Sequence, residues 1–310
     1  MSTEARPEPQ PLLSILIPAY NYAFGVRRIV VPLLFEGRSD IEILVQDDSD
    51  NDGVEVAMRL LASSHARLHY ARNSPALGAV HNWNSLLQHA RGKYVILIHH
   101  DDFPLSKTFT ADLLGELESN AWPDALILSC LTYDVARKRI VPGVCNALRG
   151  FIGRHHPSYL LRRNVFGPPS VLVVRRDLLG EYDPALKWLV DAEAYFRLLT
   201  AQPRRLIFSS LMMVSSAGLP NSISTAIGGS VRDIAKTELA YLEKKYEAGS
   251  HGINPSWQLM SLLDRPLWAT VKVTSAICNV LTTPASLPAA VAHRDHYFEH
   301  IAQSGDTEAK

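Results

Sequence analysis

No pair of cysteines closes this sequence into a staple or a metal ribbon. Cys130, Cys145 and Cys278 are far apart and form no CxxC, which leaves out a zinc ribbon and a disulfide framework and fits a reducing cytoplasm. An excess of one charge is also lacking, with Lys+Arg and Asp+Glu at 31 each. Binding to nucleic acid by counterion release needs clustered cations, so no nucleic-acid partner is expected and the ligand should be small or local. GxGxxG, GxxxxGK(S/T) and HExxH are all absent, which removes the usual dinucleotide, P-loop and zincin readings. The opening MSTEARPEPQP has no apolar core of a signal peptide and is expected to be a disordered leader over residues 1–11. The most apolar stretch of the tail, Leu267 to Leu287, carries Lys272, Asn279 and Pro284, so it suits a core or interfacial helix better than a membrane span.

What the sequence does have is a rhythm. Strand-like LLSILIPAY (12–20), IEILVQDD (41–48), RLHYAR (67–72) and KYVILIHH (93–100) alternate with helix-like segments near 26–34, 54–63 and 78–90. Alternation of this kind predicts an α/β fold with a mostly parallel, Rossmann-like sheet flanked by helices and built by right-handed crossovers. The strands end in Pro18-Ala19-Tyr20-Asn21, Asp47-Asp48-Ser49 and His99-His100-Asp101-Asp102, three polar clusters that should share one edge. In open α/β sheets ligands sit beyond the carboxyl ends of the strands. Farther on, a helix is predicted at 107–119, sheet in DALILSCLTYDV, KRIVPGV and PPSVLVVRRD, and a helix at 188–201. RRLIFSSLMMVSSAG reads as a last strand, followed by a charged amphipathic helix from Val231 to Lys245 and a mainly helical tail. Paired carboxylates at a strand end suit a hard divalent cation, Mn²⁺ or Mg²⁺, shared with substrate phosphates.

IPAYN, QDDSDND, NSPALGAVHNWN, GKYVILIHHDD, NVFGPPSVLVVRRD and LKWLVDAEAYFRLL, in that order over about residues 13–217, together resemble a family 2 glycosyltransferase of the GT-A fold. The resemblance implies a GT-A domain over 12–220 with a helical C-terminal extension over 221–310. It further implies a metal-dependent, inverting transfer from a nucleotide-sugar, a UDP-sugar for preference, to a hydroxyl of a glycan or lipid-linked glycan. Pro18, Ala19 and Tyr20 would then meet the nucleotide-sugar, Asp48 the base N–H, Asp101 the ribose hydroxyls and Asp102 the metal. Many members have an acid where His99 stands, and both histidines are expected to frame the metal from outside its coordination sphere. Asp191 of VDAEAYFRLL matches the catalytic base, with Glu193 as the fallback. Trp188, Leu189 and Val190 surround Asp191 with apolar bulk that should raise its pKa towards neutrality.

Taken singly, Asp47-Asp48 reads as a turn or cap and Asp191 as an ordinary first-turn acid; only their joint order points to a site. His155-His156, Arg162-Arg163 and Arg175-Arg176 read as solvated surface, and Gly167 to Ser170 either shape the acceptor side or form a proline-locked turn. Two rivals stay open at this point, a nucleotidyltransferase of related fold and a non-catalytic nucleotide-sugar or glycan-binding protein. Lys272, Arg265 and Arg294 beside apolar residues of the tail suit peripheral contact with the inner face of a membrane, with packing against the catalytic domain as the alternative.

Overall fold

The computed structural model describes residues 10–201, 204–219, 230–247, 266–277 and 291. Most of the expected leader, Arg265, Arg294 and Cys278 lie outside the described residues. The first half is the expected alternation: β1 (Leu13–Ala19), α1 (Ala23–Phe35), β2 (Ile41–Asp47), α2 (Gly53–Ser64), β3 (Leu68–Arg72), α3 (Ala79–His89) and β4 (Tyr94–Leu97). All seven residues of β1 and all four of β4 are buried, as unbroken Leu, Ile and Val runs require when helices cover both faces. β3, β2, β1 and β4 are neighbours in that order and all run parallel.

The second half departs from the parallel expectation. After β5 (Asp102–Pro104), α4 (Phe109–Ser119), β6 (Ala125–Asp134), β7 (Arg139–Pro142), α5 (Asn146–His155) and α6 (Tyr159–Arg162), β8 (Leu172–Arg175) inserts antiparallel between β4 and β6. α7 (Arg176–Leu179), α8 (Val190–Ala201) and β9 (Leu206–Ala217) follow, with β9 parallel to β6 and antiparallel to β5. The described residues thus form a nine-stranded sheet in the order β3-β2-β1-β4-β8-β6-β9-β5, with β7 on the flank of β6. An apolar strand buried on both faces carries the same residues whichever way it runs, so composition does not encode its direction. Past the sheet come α9 (Val231–Glu247) and a helix over 266–277, α10.

The sheet's two ends differ in character. At the amino end of β1 and β2 the buried Glu42 accepts hydrogen bonds from Ser14 Oγ (2.6 Å), the Arg91 amide (2.6 Å) and the Gly92 amide (3.2 Å). Its acceptor capacity is consumed by the fold. The carboxyl end keeps acids whose oxygens are not all consumed.

Candidate active site

The parallel register puts the ends of β1 and β2 side by side, with Ala19 opposite Asp47. The Asp48 amide donates to the Ala19 carbonyl (3.0 Å) and the Asn21 amide to Ser49 Oγ (2.8 Å), so the two loops are stitched together. Asn21 takes a left-handed backbone (φ 49°), which asparagine tolerates better than most residues. Pro18 and Ala19 are buried within β1, whereas Tyr20 is 45% exposed and offers a ring face to a ligand. Asp48 is more engaged than the sequence suggests. Its carboxylate accepts from Asn73 Nδ2 (2.7 Å), the Leu77 amide (2.9 Å) and the Gly78 amide (2.7 Å), which leaves one of about four acceptor sites. It therefore ties the loop before α3 to the edge.

At the end of β4 the strand stops at Leu97, earlier than expected. The Ile98 amide still bonds the Leu16 carbonyl (2.8 Å), and the chain then turns, with the Asp102 amide donating to the His99 carbonyl (2.9 Å). Asp102 opens β5 opposite Ser215, and the Ser216 amide donates to the Asp101 carbonyl (2.9 Å). Behind the turn, the buried Arg28 lies 4.1 Å from the Phe103 ring centroid and donates to Ser216 Oγ (3.3 Å). The strand end is thus held from β9 and α1 at once.

His99, Asp101 and Asp102 each offer a ligand atom, all within 4.8 Å of one another. Asp102 is 1% exposed; Ser170 Oγ donates to its Oδ2 (2.6 Å), while its Oδ1 and the Nε2 of His99 are buried without a hydrogen-bond partner. Burial, and then the neighbouring Asp101 charge, push the Asp102 carboxyl well above the usual range. Burial drives His99 down to about 4, so the imidazole is neutral and able to coordinate. An orphaned buried oxygen next to a second carboxylate is a poor arrangement for protons alone and a good one for a divalent cation, whose charge would reverse the cost of ionising Asp102. The residues fit a metal, with a ring nitrogen of His99 beside the two carboxylates.

Asp191 lies in the first turn of α8 and is partly exposed. Its Oδ1 accepts from the Ala192 amide (2.8 Å) and its Oδ2 from Asn164 Nδ2 (2.7 Å). Burial raises its carboxyl to about 7 against the pull of those bonds, in the direction the apolar Trp188-Leu189-Val190 flank predicts. Glu193, the fallback, is closed off in the fold. It is 0% exposed and already bonded to Tyr246 OH (2.5 Å), Lys245 Nζ (2.9 Å) and Arg197 Nε (3.2 Å).

The sequence reading gave Asn164 no role. Its side chain donates to Asp191 and to the Gly167 carbonyl (2.8 Å) and accepts from the Phe166 and Gly167 amides (3.1 Å each). Asn two or three residues ahead of Gly-Pro is a turn signal in its own right, and NVFGPPS could have been read that way. Tyr195 of α8 donates to the Pro168 carbonyl (2.7 Å), so the segment is pinned to α8, and at its far end Ser170 reaches Asp102. One short segment therefore touches both carboxylates.

The model of glycosyl transferase family 2 matches residues 14–181, more than half of the chain's 310 residues. The chain belongs to this family. A curated relative from Escherichia coli, the UDP-Glc:alpha-D-GlcNAc-diphosphoundecaprenol beta-1,3-glucosyltransferase WfgD, is 26% identical over 109 residues, 35% of this chain and 42% of its own. Among solved structures, Staphylococcus aureus TarS 1–349 in complex with UDP-GlcNAc has a TM-score of 0.53 at 14% identity, covering 84% of this chain and 79% of that one. The mannosyltransferase PcManGT from Pyrobaculum calidifontis, in complex with GDP-Man and Mn²⁺, has a TM-score of 0.56 at 17% identity and covers 94% and 81%. These likenesses show the GT-A fold. The chain spans less than two thirds of the length of the curated relatives it matches. No helix among the described residues is long and apolar enough to cross a membrane.

Proposed function

We propose that this family 2 protein moves a sugar from a nucleotide donor, a UDP-sugar, to a hydroxyl of a glycan or lipid-linked glycan acceptor, inverting the anomeric carbon and using Mn²⁺ or Mg²⁺. The observation that carries the reading is the NVFGPPS segment, bonded to Asp191 at one end and Asp102 at the other. An inverting transfer needs a base on the face opposite the leaving group, and a carboxyl raised to about 7 is half ionised at neutral pH. Asp191 takes the acceptor's proton on a carboxylate oxygen while Asn164 fixes its rotamer. The Tyr20 ring packs on the base, and the acceptor site left on Asp48 meets the base N–H. Asp101, more exposed than Asp102, would meet the ribose hydroxyls, and Asp102 would hold the ion. What the bound cation supplies is stabilisation of the charge gathering on the leaving diphosphate.

The donor preference leans on a relative named for UDP-Glc and a fold neighbour solved with UDP-GlcNAc, while another neighbour holds GDP-Man. Incubation with UDP-Glc, UDP-GlcNAc and GDP-Man in Mn²⁺ should release free nucleoside diphosphate. Conversion of the donor to nucleoside triphosphate and sugar 1-phosphate when pyrophosphate is added would instead indicate a nucleotidyltransferase, and donor binding without turnover a binding protein. The division into a transferase domain over 12–220 and a helical extension over 221–310 belongs to the same proposal.

An acceptor carried on a lipid requires work at a membrane surface, here the cytoplasmic face. α10 turns Val271 and Ser275 inward, the latter against the Cys145 amide (3.3 Å), and leaves Val273 and Ile277 exposed on its far side, with Lys272 also exposed. Packing and surface contact thus use opposite faces of one helix. Anionic vesicles should co-sediment the protein in a salt-sensitive way, and Val273→Glu should weaken that binding. Binding unaffected by salt or by the substitution would leave α10 a packing element.

A further inference from the structure

α8, which carries Asp191, begins on a residue that cannot cap it, and within its first turn Asp191 itself accepts the Ala192 amide. Its first intrahelical bond runs from the Glu193 amide to the Leu189 carbonyl (2.9 Å), which makes the apolar Leu189 the cap residue. Leucine has nothing to offer the free amides there. The acceptor comes instead from about fifty residues away, on α9. Glu238 receives the Lys187 amide on Oε1 (2.6 Å), the Trp188 amide on both oxygens (3.2 and 3.1 Å) and the Leu189 amide on Oε2 (2.8 Å). Three consecutive backbone N–H groups thus converge on one carboxylate at the positive end of a helix. Glu238 is 6% exposed and shares its buried stripe with Leu242 and Tyr246, at 0% and 9%. A carboxylate in an otherwise apolar stripe is costly unless used.

We infer that Glu238 is a positioning residue for sugar transfer: from α9 it fixes the turn that enters α8 and so sets the place of Asp191. This rests on Asp191 being the base. Around this contact α9 is anchored to the same helix and to the segment before it. Tyr246 and Lys245 bond Glu193, Lys245 and Tyr241 bond Asp183 (2.8 and 2.9 Å), and the Phe196 and Tyr246 rings lie 4.8 Å apart. Those contacts hold Glu193 and Phe196 in the first half of α8 and Asp183 ahead of it, whereas Glu238 acts at the turn next to Asp191.

Glu238 also acts on Asp191 through its charge. Burial acts most on Asp191, followed by the Ala192 amide and the Asn164 side chain, with Glu238 and the phenols of Tyr182 and Tyr195 facing it as well. Both phenols are pushed upward by burial and stay neutral when Asp191 titrates. Glu238 is the one anion among them, and it raises the Asp191 carboxyl.

The test is Glu238→Gln, which keeps size and removes charge. Its NH₂ would point at a backbone N–H, so one side of the turn loses its acceptor. Transfer should fall by about tenfold in kcat with donor affinity, measured by calorimetric titration of UDP and Mn²⁺, unchanged. The alkaline-rising limb of the rate profile should move to lower pH. Leu242→Ala serves as the control that loosens α9 without touching the turn, and it should lower stability without moving that limb. An unmoved limb and unchanged kcat in Glu238→Gln, or the same limb shift in Leu242→Ala, would overturn the inference. If Glu238→Gln does not fold, Glu238→Asp, which keeps the charge and shortens the reach, should lower kcat at unchanged donor affinity; an unaltered kcat would again overturn it. Asp191→Asn separates the two levels. Near-normal transfer in that variant defeats the base assignment, whereas its loss alongside an unaffected Glu238→Gln defeats the positioning role alone.

Discussion

Asp191→Asn should lower sugar transfer by about 10² to 10⁴-fold, the usual worth of a general base, while the affinity for nucleotide donor hardly changes. Asparagine keeps the shape but its single carbonyl oxygen keeps only one of the two bonds, that from the Ala192 amide or that from Asn164, and it has no lone pair basic enough to take a proton. Because Glu193 is sealed by Lys245, Tyr246 and Arg197, it offers no local replacement. The wild-type rate should rise with pH through about 7 as Asp191 ionises, and this rise should vanish in the variant. Stability should move the other way. A carboxyl raised by burial holds its proton in the folded state over a range where the unfolded chain has lost it, so folding is progressively disfavoured as pH climbs from the ordinary aspartate range to about 7. Asp191→Asn removes that penalty, and its melting temperature relative to wild type should be higher at pH 8 than at pH 5. Near-normal transfer, checked by nucleoside diphosphate release, would cancel the assignment.

The parallel half of the fold was legible because it is written in periodicity. β1 and β4 are unbroken apolar runs flanked by helical patterns, and their polar ends fall on one edge as parallel neighbours must. The reversal of β8 was not legible, since Leu172-Val173-Val174 is buried equally well in either direction. β5 is three residues long and has no pattern of its own; it exists because Asp102 and Phe103 find Ser215 and Val214 on β9. Within the site, carboxylates at strand ends announced themselves by being costly there. Their partners did not. Asn164, Ser170 and Glu238 act through contacts spanning 27 to 68 residues of sequence, and only the closed fold brings each to its acid or turn. Asp48 shows the converse, a candidate ligand whose carboxylate is largely used by its own loop.

Asp102→Asn should abolish the gain in donor affinity that Mn²⁺ confers, whereas His99→Ala should leave most of it. Asparagine still accepts the Ser170 hydroxyl, so the turn into β5 is kept while the negative charge is removed. The distinction rests on ligand hardness and charge. Mn²⁺ and Mg²⁺ prefer oxygen donors, and a neutral imidazole contributes no charge to offset a diphosphate's surroundings. His99 is nevertheless within 4.8 Å of both carboxylates with its Nε2 unpartnered, so it can orient the site from close by, and a loss small beside that of Asp102→Asn fits that role. Calorimetric titration of UDP with and without Mn²⁺ reads both variants. Asp102→Asn should bind UDP equally in either buffer, and its thermal midpoint should no longer rise when Mn²⁺ is added to UDP; at 100 times Kd that rise corresponds to about 2.7 kcal/mol in a binding-competent protein. Equal losses in the two variants would make His99 a direct ligand, and the departure from an acid at that position would then be a change of ligand set. Retention of the Mn²⁺ effect in Asp102→Asn would hand the ion to Asp101, the more exposed of the pair, and leave Asp102 as the buried support that fixes it through Ser170.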